Sequence, residues 1–302
     1  MAPTNSTRIV RQIVGLSEIS NRYDVILCDI WGVVHNGLSA FPQASAALAA
    51  FRRRGGAVIL VSNAPRPSEP IFSQLSKLGV TRDAFDEIVT SGDVTIGLVV
   101  DRIDEPVLHI GPTRDLSLLE AAAKAAGREP EHASIEGAAY ALCTGLRDDT
   151  TESLESYDAE LAILARRNLL MICANPDLII HRGTAMIPCA GALAQRYEAI
   201  GGKVIYAGKP YSPIYDRALD LAARSLGAPV ERRRLLAIGD GMRTDIAGAA
   251  NAGIDALLVT QGIHRDALHG SRSSPEADPV DLGRLCSDFG LWPDAAMSAL
   301  RD

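Results

Sequence analysis

The sequence lacks any stretch of about 18 consecutive apolar residues, the length that a membrane-spanning helix requires. Its opening segment, MAPTNSTRIVRQIVG, contains no unbroken apolar run of the kind found in a secretory signal. The 5 cysteines are odd in number and form no CxxC pair, which favours reduced thiols packed as small apolar groups. We therefore expect a cytoplasmic protein with no membrane partner.

An excess of positive charge is also missing. The chain has 30 Lys and Arg against 37 Asp and Glu, a formal net charge of -7. A nucleic-acid groove needs clustered basic residues, so we expect no nucleic-acid partner. A small anionic substrate remains compatible with this balance, because a few local cations or one metal ion can bind it. The 302 residues and 47% hydrophobic content predict two domains around large cores.

Short apolar runs rich in β-branched residues alternate with longer segments of helical period. Nine runs are predicted to be strands: 23–30, 56–63, 86–91, 106–111, 140–145, 169–175, 203–208, 235–240 and 255–260. This alternation is typical of βαβ units, so we expect an α/β fold with a mainly parallel sheet. The polar segment 269–279 is predicted to be a surface loop.

Polar residues follow several of these runs, and ligands bind at the carboxyl ends of strands in open parallel sheets. Asp240 and Asp245, in AIGDGMRTDI, would repel a nearby Asp29 unless a cation lay among them. Oxygen-only ligands of this kind suit Mg²⁺; alternatively, Asp245 only caps a helix. Lys209 offers a cation for a phosphoryl oxygen, and the alternative for such a lysine is ordinary solvation. Ser62 and Asn63 could donate hydrogen bonds to an anion; alternatively, they only form an ordinary turn.

The order of these motifs is more specific than any one of them. Asp29 with Gly at +3, then Ser-Asn, then Gly-Lys-Pro, then Gly-Asp-x₄-Asp resembles the haloacid dehalogenase-like hydrolase superfamily. The segment ANPDLIIHRG…IPCAGALAQRYEAIGGKVIYAGKP (174–210) is similar to class IIA, which includes sugar, nucleotide, pyridoxal and p-nitrophenyl phosphatases. The resemblance covers roughly residues 22–265.

The resemblance implies a Rossmann-like parallel-sheet core, at 1–92 and 205–302, with an inserted α/β cap of type C2A at 93–204. It implies Mg²⁺-dependent hydrolysis of a small phosphorylated metabolite, such as a sugar phosphate, through an aspartyl-phosphate on Asp29. Ser62 and Lys209 would hold the phosphoryl group. A homodimer is a further expectation.

The same resemblance implies a set of metal ligands and substrate contacts. Asp29, Asp240 and the backbone carbonyl of Trp31 would ligate Mg²⁺, and Asp245 would support the metal or its waters. The cap would determine substrate specificity. We expect the polar residues of NPDLIIHRG to face the substrate, although a solvated loop is an equal alternative; these residues are Asn175, Asp177 and His181, together with Asn63 of the core.

Trp31 departs from the family pattern, which usually has a second aspartate there to protonate the leaving oxygen and then activate water. Indole offers neither an acid nor an acceptor, and loss of a general acid-base typically costs about 10²–10⁴ in rate. Three explanations stay open: His35 supplies the proton, the substrate has a good leaving group such as an acyl phosphate, or the protein binds a phosphorylated metabolite as a weakly active regulatory protein. Dehalogenating relatives also lack this aspartate but need no metal, and the intact Asp240 and Asp245 favour a phosphoryl ligand.

Overall fold

A computed structural model describes residues 9–182, 185–270, 274 and 276–302, with the side chains of 180–185 excepted. Every apolar run predicted to be a strand forms one, within two residues at each end. The strands are β1 (Val25–Asp29), β2 (Ala57–Ser62), β3 (Glu87–Thr90), β4 (Val107–Ile110), β5 (Tyr140–Cys143), β6 (Leu170–Cys173), β7 (Ile179–Arg182), β8 (Ala185–Pro188), β9 (Lys203–Tyr206), β10 (Leu235–Gly239), β11 (Asp255–Val259) and β12 (Ala295–Met297).

The α-helices fill the segments between the strands. They are α1 (Pro42–Arg53), α2 (Glu69–Leu78), α3 (Ser91–Val100), α4 (Ser117–Ala126), α5 (Asp158–Arg166), α6 (Ala190–Ala199), α7 (Ser212–Leu226), α8 (Ala247–Ala252), α9 (Arg265–His269) and α10 (Pro279–Phe289). No helix in the described part of the chain is long and apolar enough to cross a bilayer.

The first of two compact units comprises Met1–Val61, Phe72–Ile88 and Tyr215–Asp302. Its sheet has the strand order β12-β11-β10-β1-β2-β3. β1 lies in the middle and pairs in parallel with both β10 and β2. Every residue of β1 and β10 is buried, as expected for a parallel sheet covered on both faces. Because these two strands are parallel neighbours, the residues at their carboxyl ends lie side by side.

The second unit comprises Ser62–Ile71 and Val89–Ile214, and the segment 93–204 predicted to be an insertion lies within it. It contains a parallel sheet of order β4-β5-β6-β9 and an antiparallel pair, β7-β8. Side chains of β5 alternate between two apolar clusters: Ala141 and Cys143 pack in one, Tyr140 and Leu142 in the other. This alternation is the twofold period of a strand buried on both faces. The predicted boundaries 1–92, 93–204 and 205–302 stay a prediction.

The C-terminal region contains structure that the polar sequence obscures. His269 ends α9, and Asp278 caps α10 by accepting hydrogen bonds from the N–H groups of Val280 and Asp281. The loop predicted for 269–279 is therefore bordered by helix ends, and its residues 271–273 and 275 lie outside the described residues. A cap residue followed by proline at the first helical position explains why so polar a segment leads into a helix.

Candidate active site

Three carboxylates meet at the carboxyl edge of the sheet in the first unit. Asp29 ends β1, Asp240 follows β10, and Asp245 lies in the turn Met242–Ile246. One oxygen from each lies within 4.8 Å of the others, and all three residues are buried. Their exposed fractions are 9%, 8% and 4%. Because like charges repel strongly where water is scarce, this acidic cluster is suited to a cation.

Glycines make room for the cluster around Asp240. A Cβ atom at Gly32, where φ is +81°, would lie 2.1 Å from Asp240 Oδ2, and one at Gly262 would lie 2.0 Å from the same oxygen. The N–H of Ile263 donates to Asp240 Oδ2 at 2.8 Å. The loop after β11 therefore positions this carboxylate, and any side chain at either glycine would displace it.

Asp245 is held by its own turn. Its Oδ2 accepts the N–H of Gly241 at 3.1 Å and the hydroxyl of Thr244 at 3.2 Å. The turn is a single π-helical turn, a form frequent at functional sites. A Cβ atom at Gly239 would lie 2.0 Å from the Asp245 carboxyl carbon, so the small residue at the end of β10 admits the carboxylate.

The residues of the acidic cluster fit a divalent cation. Opposite oxygen ligands of Mg²⁺ are about 4.2 Å apart at a metal–oxygen distance of about 2.1 Å, close to the spread of the carboxylate oxygens. The donors are all hard oxygens, which favour Mg²⁺, Mn²⁺ or Ca²⁺ over Zn²⁺. Because positions 32 and 262 are glycines, no side chain there occupies the space next to the Asp240 carboxylate, which a cation can therefore approach.

Trp31 lies two residues after Asp29, and its side chain is 57% exposed. Its ring packs edge-on against His35, with centroids 5.3 Å apart. The indole also covers Gly37, where a Cβ atom would lie 2.4 Å from the ring. Trp31 thus presents an apolar surface to solvent and no group able to transfer a proton.

His35 is only 3% exposed, and its Nδ1 accepts the N–H of Gly37 at 2.9 Å. Burial lowers the pKa of His35, which favours the neutral ring. With Nδ1 as acceptor, the proton of the neutral ring lies on Nε2. The His35 carbonyl also accepts the N–H of Gly32 at 2.9 Å, so this residue closes the loop that follows Asp29.

We expect the His35→Asn enzyme to keep turnover within about twofold of the wild type, because the amide oxygen can replace Nδ1 as acceptor for Gly37. His35→Ala should lose about 2–4 kcal/mol of stability, since it leaves the partly buried N–H of Gly37 without its acceptor and a cavity behind. Urea unfolding and phosphate release measure the two effects. A fully folded His35→Asn enzyme with a hundredfold lower turnover would instead assign His35 a catalytic role.

A second constellation lies in the second unit, around Asn63. Its Nδ2 donates to Asp177 Oδ1 at 2.9 Å and to the Lys209 carbonyl at 3.1 Å. Its Oδ1 accepts the N–H of Lys209 at 2.7 Å. The amide thus fixes the Lys209 backbone. A Cβ atom at Gly208 would lie only 2.4 Å from Asn63 Oδ1, so glycine is needed there. Asn63 therefore positions Lys209, and its direct contact with substrate stays a prediction.

The remaining predicted residues also have defined places. Asn175 Oδ1 accepts the N–H of Asp177 at 3.0 Å, shaping the turn after β6. Ser62 ends β2, and its hydroxyl accepts the N–H of Ala64 at 3.2 Å. The backbone of His181 belongs to β7, whereas its side chain lies outside the described residues. The structure thus gathers Asp29, Asp240 and Asp245 in one unit, and Asn63, Asp177 and Lys209 in the other.

No role was predicted for Gly262, Ile263 or His264. The Nε2 of His264 accepts the N–H of Met242 at 3.2 Å, which braces the turn that carries Asp245. The available signal was the segment VTQG (259–262) at the end of β11, because β11 neighbours β10 and its end must approach Asp240. Nothing in the local sequence indicates that a backbone N–H there serves a carboxylate.

Two family models match the chain. One, described as haloacid dehalogenase-like hydrolase, matches residues 26–124, and one described as HAD-hydrolase-like matches residues 206–282. A solved haloacid dehalogenase-like hydrolase from Brucella suis 1330 is 40% identical, with a TM-score of 0.79, and the match covers 95% of this chain and 99% of that one.

Curated relatives carry named activities. The D-glycerol 3-phosphate phosphatase of Mycobacterium tuberculosis is 27% identical over 273 residues, which cover 89% of this chain and 71% of that protein. A 5'-nucleotidase of Bacillus subtilis is 24% identical over 80% of this chain and 88% of its own length. The motif order, the parallel sheets and these matches agree, and the chain belongs to the haloacid dehalogenase-like hydrolase family, within class IIA.

Proposed function

We propose that the protein is a Mg²⁺-dependent phosphatase of small phosphorylated metabolites that acts through an aspartyl-phosphate on Asp29. The observation that carries this proposal is the acidic cluster, whose three buried carboxylate oxygens lie within 4.8 Å of one another at the end of β1 and β10. Such a cluster needs a cation, and phosphoryl transfer needs one to offset charge on the phosphate. The names of the relatives support the phosphatase class.

In the proposed reaction a carboxylate oxygen of Asp29 attacks phosphorus, and the bond from phosphorus to the leaving oxygen breaks. Water then hydrolyses the acyl phosphate, which releases inorganic phosphate and restores Asp29. Mg²⁺, held by Asp29, Asp240 and the carbonyl of Trp31 with Asp245 in support, would neutralise charge on the phosphoryl oxygens. Asp245 is held for this task by a hydrogen bond within its own turn, and Asp240 by the N–H of Ile263 in the loop after β11.

Ser62 and Lys209 are proposed to hold the phosphoryl group through the hydroxyl and the ammonium. The support is chemical: a hydroxyl and a cation are the donors that a dianionic phosphoryl group prefers. The Lys209 backbone is fixed by both ends of the Asn63 amide, which lowers the entropy cost of presenting the ammonium. Asn175, Asp177 and His181 are proposed to contact the substrate.

The leaving oxygen has no proton donor at position 31, because Trp31 cannot protonate it. A substrate whose leaving group is stable without a proton, such as an acyl phosphate, avoids this requirement. We therefore propose that acyl phosphates turn over faster than alkyl phosphates. The second candidate, a weakly active protein that senses a phosphorylated metabolite, is favoured by the exposed indole at position 31.

A panel assay separates the two candidates. We expect phosphate release from acetyl phosphate, p-nitrophenyl phosphate and glycerol 3-phosphate, in that order of rate, and loss of release after chelation with EDTA. Adding Mg²⁺ back should restore activity and raise the melting temperature, because a cation that binds only the folded state stabilises it by mass action. Metal-dependent binding of a phosphorylated compound without release of phosphate from any of them would support the sensor instead.

A further inference from the structure

A cavity of about 340 Å³ lies at the amino ends of the central strands in the first unit, and every residue that lines it belongs to that unit. Asp24 directly precedes β1, Gly56 precedes β2 and Arg234 precedes β10, and all three line the cavity. The acidic cluster lies at the opposite ends of β1 and β10. At about 3.3 Å per residue, the length of β1 separates the two places by about 16 Å. The cavity is therefore separate from the candidate active site.

Arg54 is the cation of this cavity that has no carboxylate partner among the described residues. Its Nη2 donates to the Ser20 hydroxyl at 2.7 Å. Arg234 is different, because two of its nitrogens, Nε and Nη2, donate to the two carboxylate oxygens of Asp24. A guanidinium group has five N–H donors, so most of those on Arg54 remain for a ligand.

Ser20 supplies a second donor beside Arg54, and both residues line the cavity. Ser20 is only 3% exposed. Because a guanidinium group can only donate, the Ser20 oxygen is the acceptor in their hydrogen bond and its own hydrogen points elsewhere. No residue in the described ranges accepts that hydrogen. A buried hydroxyl without an acceptor costs free energy, so an acceptor oxygen on a ligand would satisfy Ser20 and Arg54 together.

The charges that line the cavity leave one positive charge in excess, since Arg54 and Arg234 face Asp24 alone. The hydrogen bond from Arg234 lowers the pKa of Asp24, so this carboxylate is ionised at neutral pH. A ligand with one negative charge neutralises the cavity, whereas Asp24 repels a second one. The guanidinium fork of Arg54 matches the two oxygens of a carboxylate.

The rest of the lining is suited to hydroxyl groups rather than to an apolar body. Tyr23 and Phe51 line the cavity but are 4% and 2% exposed, so their rings offer little surface to a ligand. Ser17 and Asn21 are exposed, and within the described part of the chain their side chains have no hydrogen-bond partner. A hydroxyl and an amide can both donate and accept, as hydroxyl groups on a ligand require.

We propose that this cavity binds a small hydroxycarboxylate with one negative charge. Its carboxylate bonds to Arg54 and to the Ser20 hydroxyl, and its hydroxyl groups bond to Asn21 and Ser17. A volume of about 340 Å³ corresponds to about eleven water molecules in the liquid, which accommodates an acid of roughly three to six carbons. The ligand is not the phosphorylated substrate, because it lies at the other edge of the sheet and Asp24 disfavours a dianion.

Calorimetry on the full-length chain, at constant ionic strength and without added metal, tests the site. We expect glycerate to bind, with Kd about tenfold higher or more in Arg54→Gln, because charge-assisted hydrogen bonds are lost. Arg54→Lys keeps the charge but not the fork, and should lose less affinity. The matched control Arg53→Gln removes an exposed cation of α1 outside the cavity and should leave Kd unchanged. No binding of glycerate by the wild type, or equal Kd in the wild type and Arg54→Gln, contradicts the proposal.

A ligand series tests the chemical class. Propionate, which has no hydroxyl group, should bind more weakly than glycerate, and uncharged glycerol should not bind. Tartronate, a hydroxy acid with two carboxylates, should also bind more weakly, and Asp24→Asn should tighten its binding relative to glycerate because the repelling charge is gone. Tighter binding of tartronate or propionate than of glycerate by the wild type, with the same dependence on Arg54, would overturn the assigned class. These titrations need no hydrolysis, so failure of the phosphatase proposal leaves their outcome unaffected.

Discussion

Replacement of Asp29 by asparagine is expected to abolish phosphate release, with turnover lower by about 10⁴-fold or more, as when other covalent nucleophiles are removed. An amide oxygen has too little negative charge to displace an alkoxide or a carboxylate from phosphorus. The side chains have nearly the same volume, so the buried end of β1 is expected to remain intact. Phosphate release and hydroxylamine trapping of the acyl phosphate, present in the wild type alone, measure the effect.

The same substitution has a thermodynamic signature that a purely structural aspartate would not give. Removing one of three mutually repelling carboxylates should raise the melting temperature of the metal-free protein. It should also reduce the stabilisation by Mg²⁺, because one ligand charge is lost. The matched control is Asp266→Asn, an exposed acid on α9 of the same unit, for which neither quantity should change. Retained turnover in Asp29→Asn would rule out Asp29 as the nucleophile.

Replacement of Trp31 by aspartate is expected to increase turnover of alkyl phosphates by about 10²–10⁴-fold, because it supplies the missing proton donor. Acetyl phosphate should gain less, since its leaving group needs no proton and only the shared hydrolysis of the aspartyl-phosphate would profit from the new carboxylate as a base. The cost in stability is modest, because the indole is 57% exposed and its main aromatic partner is the edge of His35. Turnover of glycerol 3-phosphate and of acetyl phosphate is measured for both enzymes. A larger gain on glycerol 3-phosphate than on acetyl phosphate supports the missing proton donor.

Trp31→Asn is the control for this gain. It removes the indole and has nearly the size of aspartate, but it cannot act as an acid. If the aspartate and asparagine variants gain equally on glycerol 3-phosphate, the indole obstructs substrate and the proton-transfer explanation is wrong. If neither gains, the family's reaction has been replaced in this chain by binding alone, which is the sensor hypothesis.

Much of the fold follows from local pattern. Each apolar run with β-branched residues became a strand, because a strand buried on both faces must be apolar along its whole length. The strands β7, β8 and β12 were not predicted. β12 has only three residues, and β7 and β8 have four each. Short strands depend on their pairing partners more than on their own sequence.

The candidate site was predicted unevenly, and the reason is sequence distance. Asp29, Asp240 and Asp245 were proposed because each lies in a motif at or after the end of a strand; the structure gathers their oxygens, and their roles stay predictions. Family membership was predicted correctly. The contacts that Ile263 and His264 make with Asp240 and Met242 were missed, because these pairs are 23 and 22 residues apart in the sequence and carry no local signal.

The roles assigned to individual residues, the identity of the metal, the cytoplasmic location and the homodimer stay predictions. The experiments on Asp29, Trp31 and His35 address the roles. EDTA with add-back of different divalent ions addresses the metal, because hard cations of different size tolerate different ligand geometries. Light scattering of the purified protein addresses the dimer.

The Asn63 amide bonds to two residues far along the chain: Asp177, which is 114 residues after Asn63, and Lys209, which is 146 residues after it. The backbone of Lys209, the proposed phosphate-binding lysine, is therefore anchored only when the two ends of this long segment have met. A nascent chain interrupted within the segment cannot complete the anchor, so assembly of this site comes late in folding. The entropy of closing so long a loop grows slowly, by about 0.6 kcal/mol for each doubling of its length. Evolution can thus lengthen or rebuild the residues between these anchors while the lysine keeps its place.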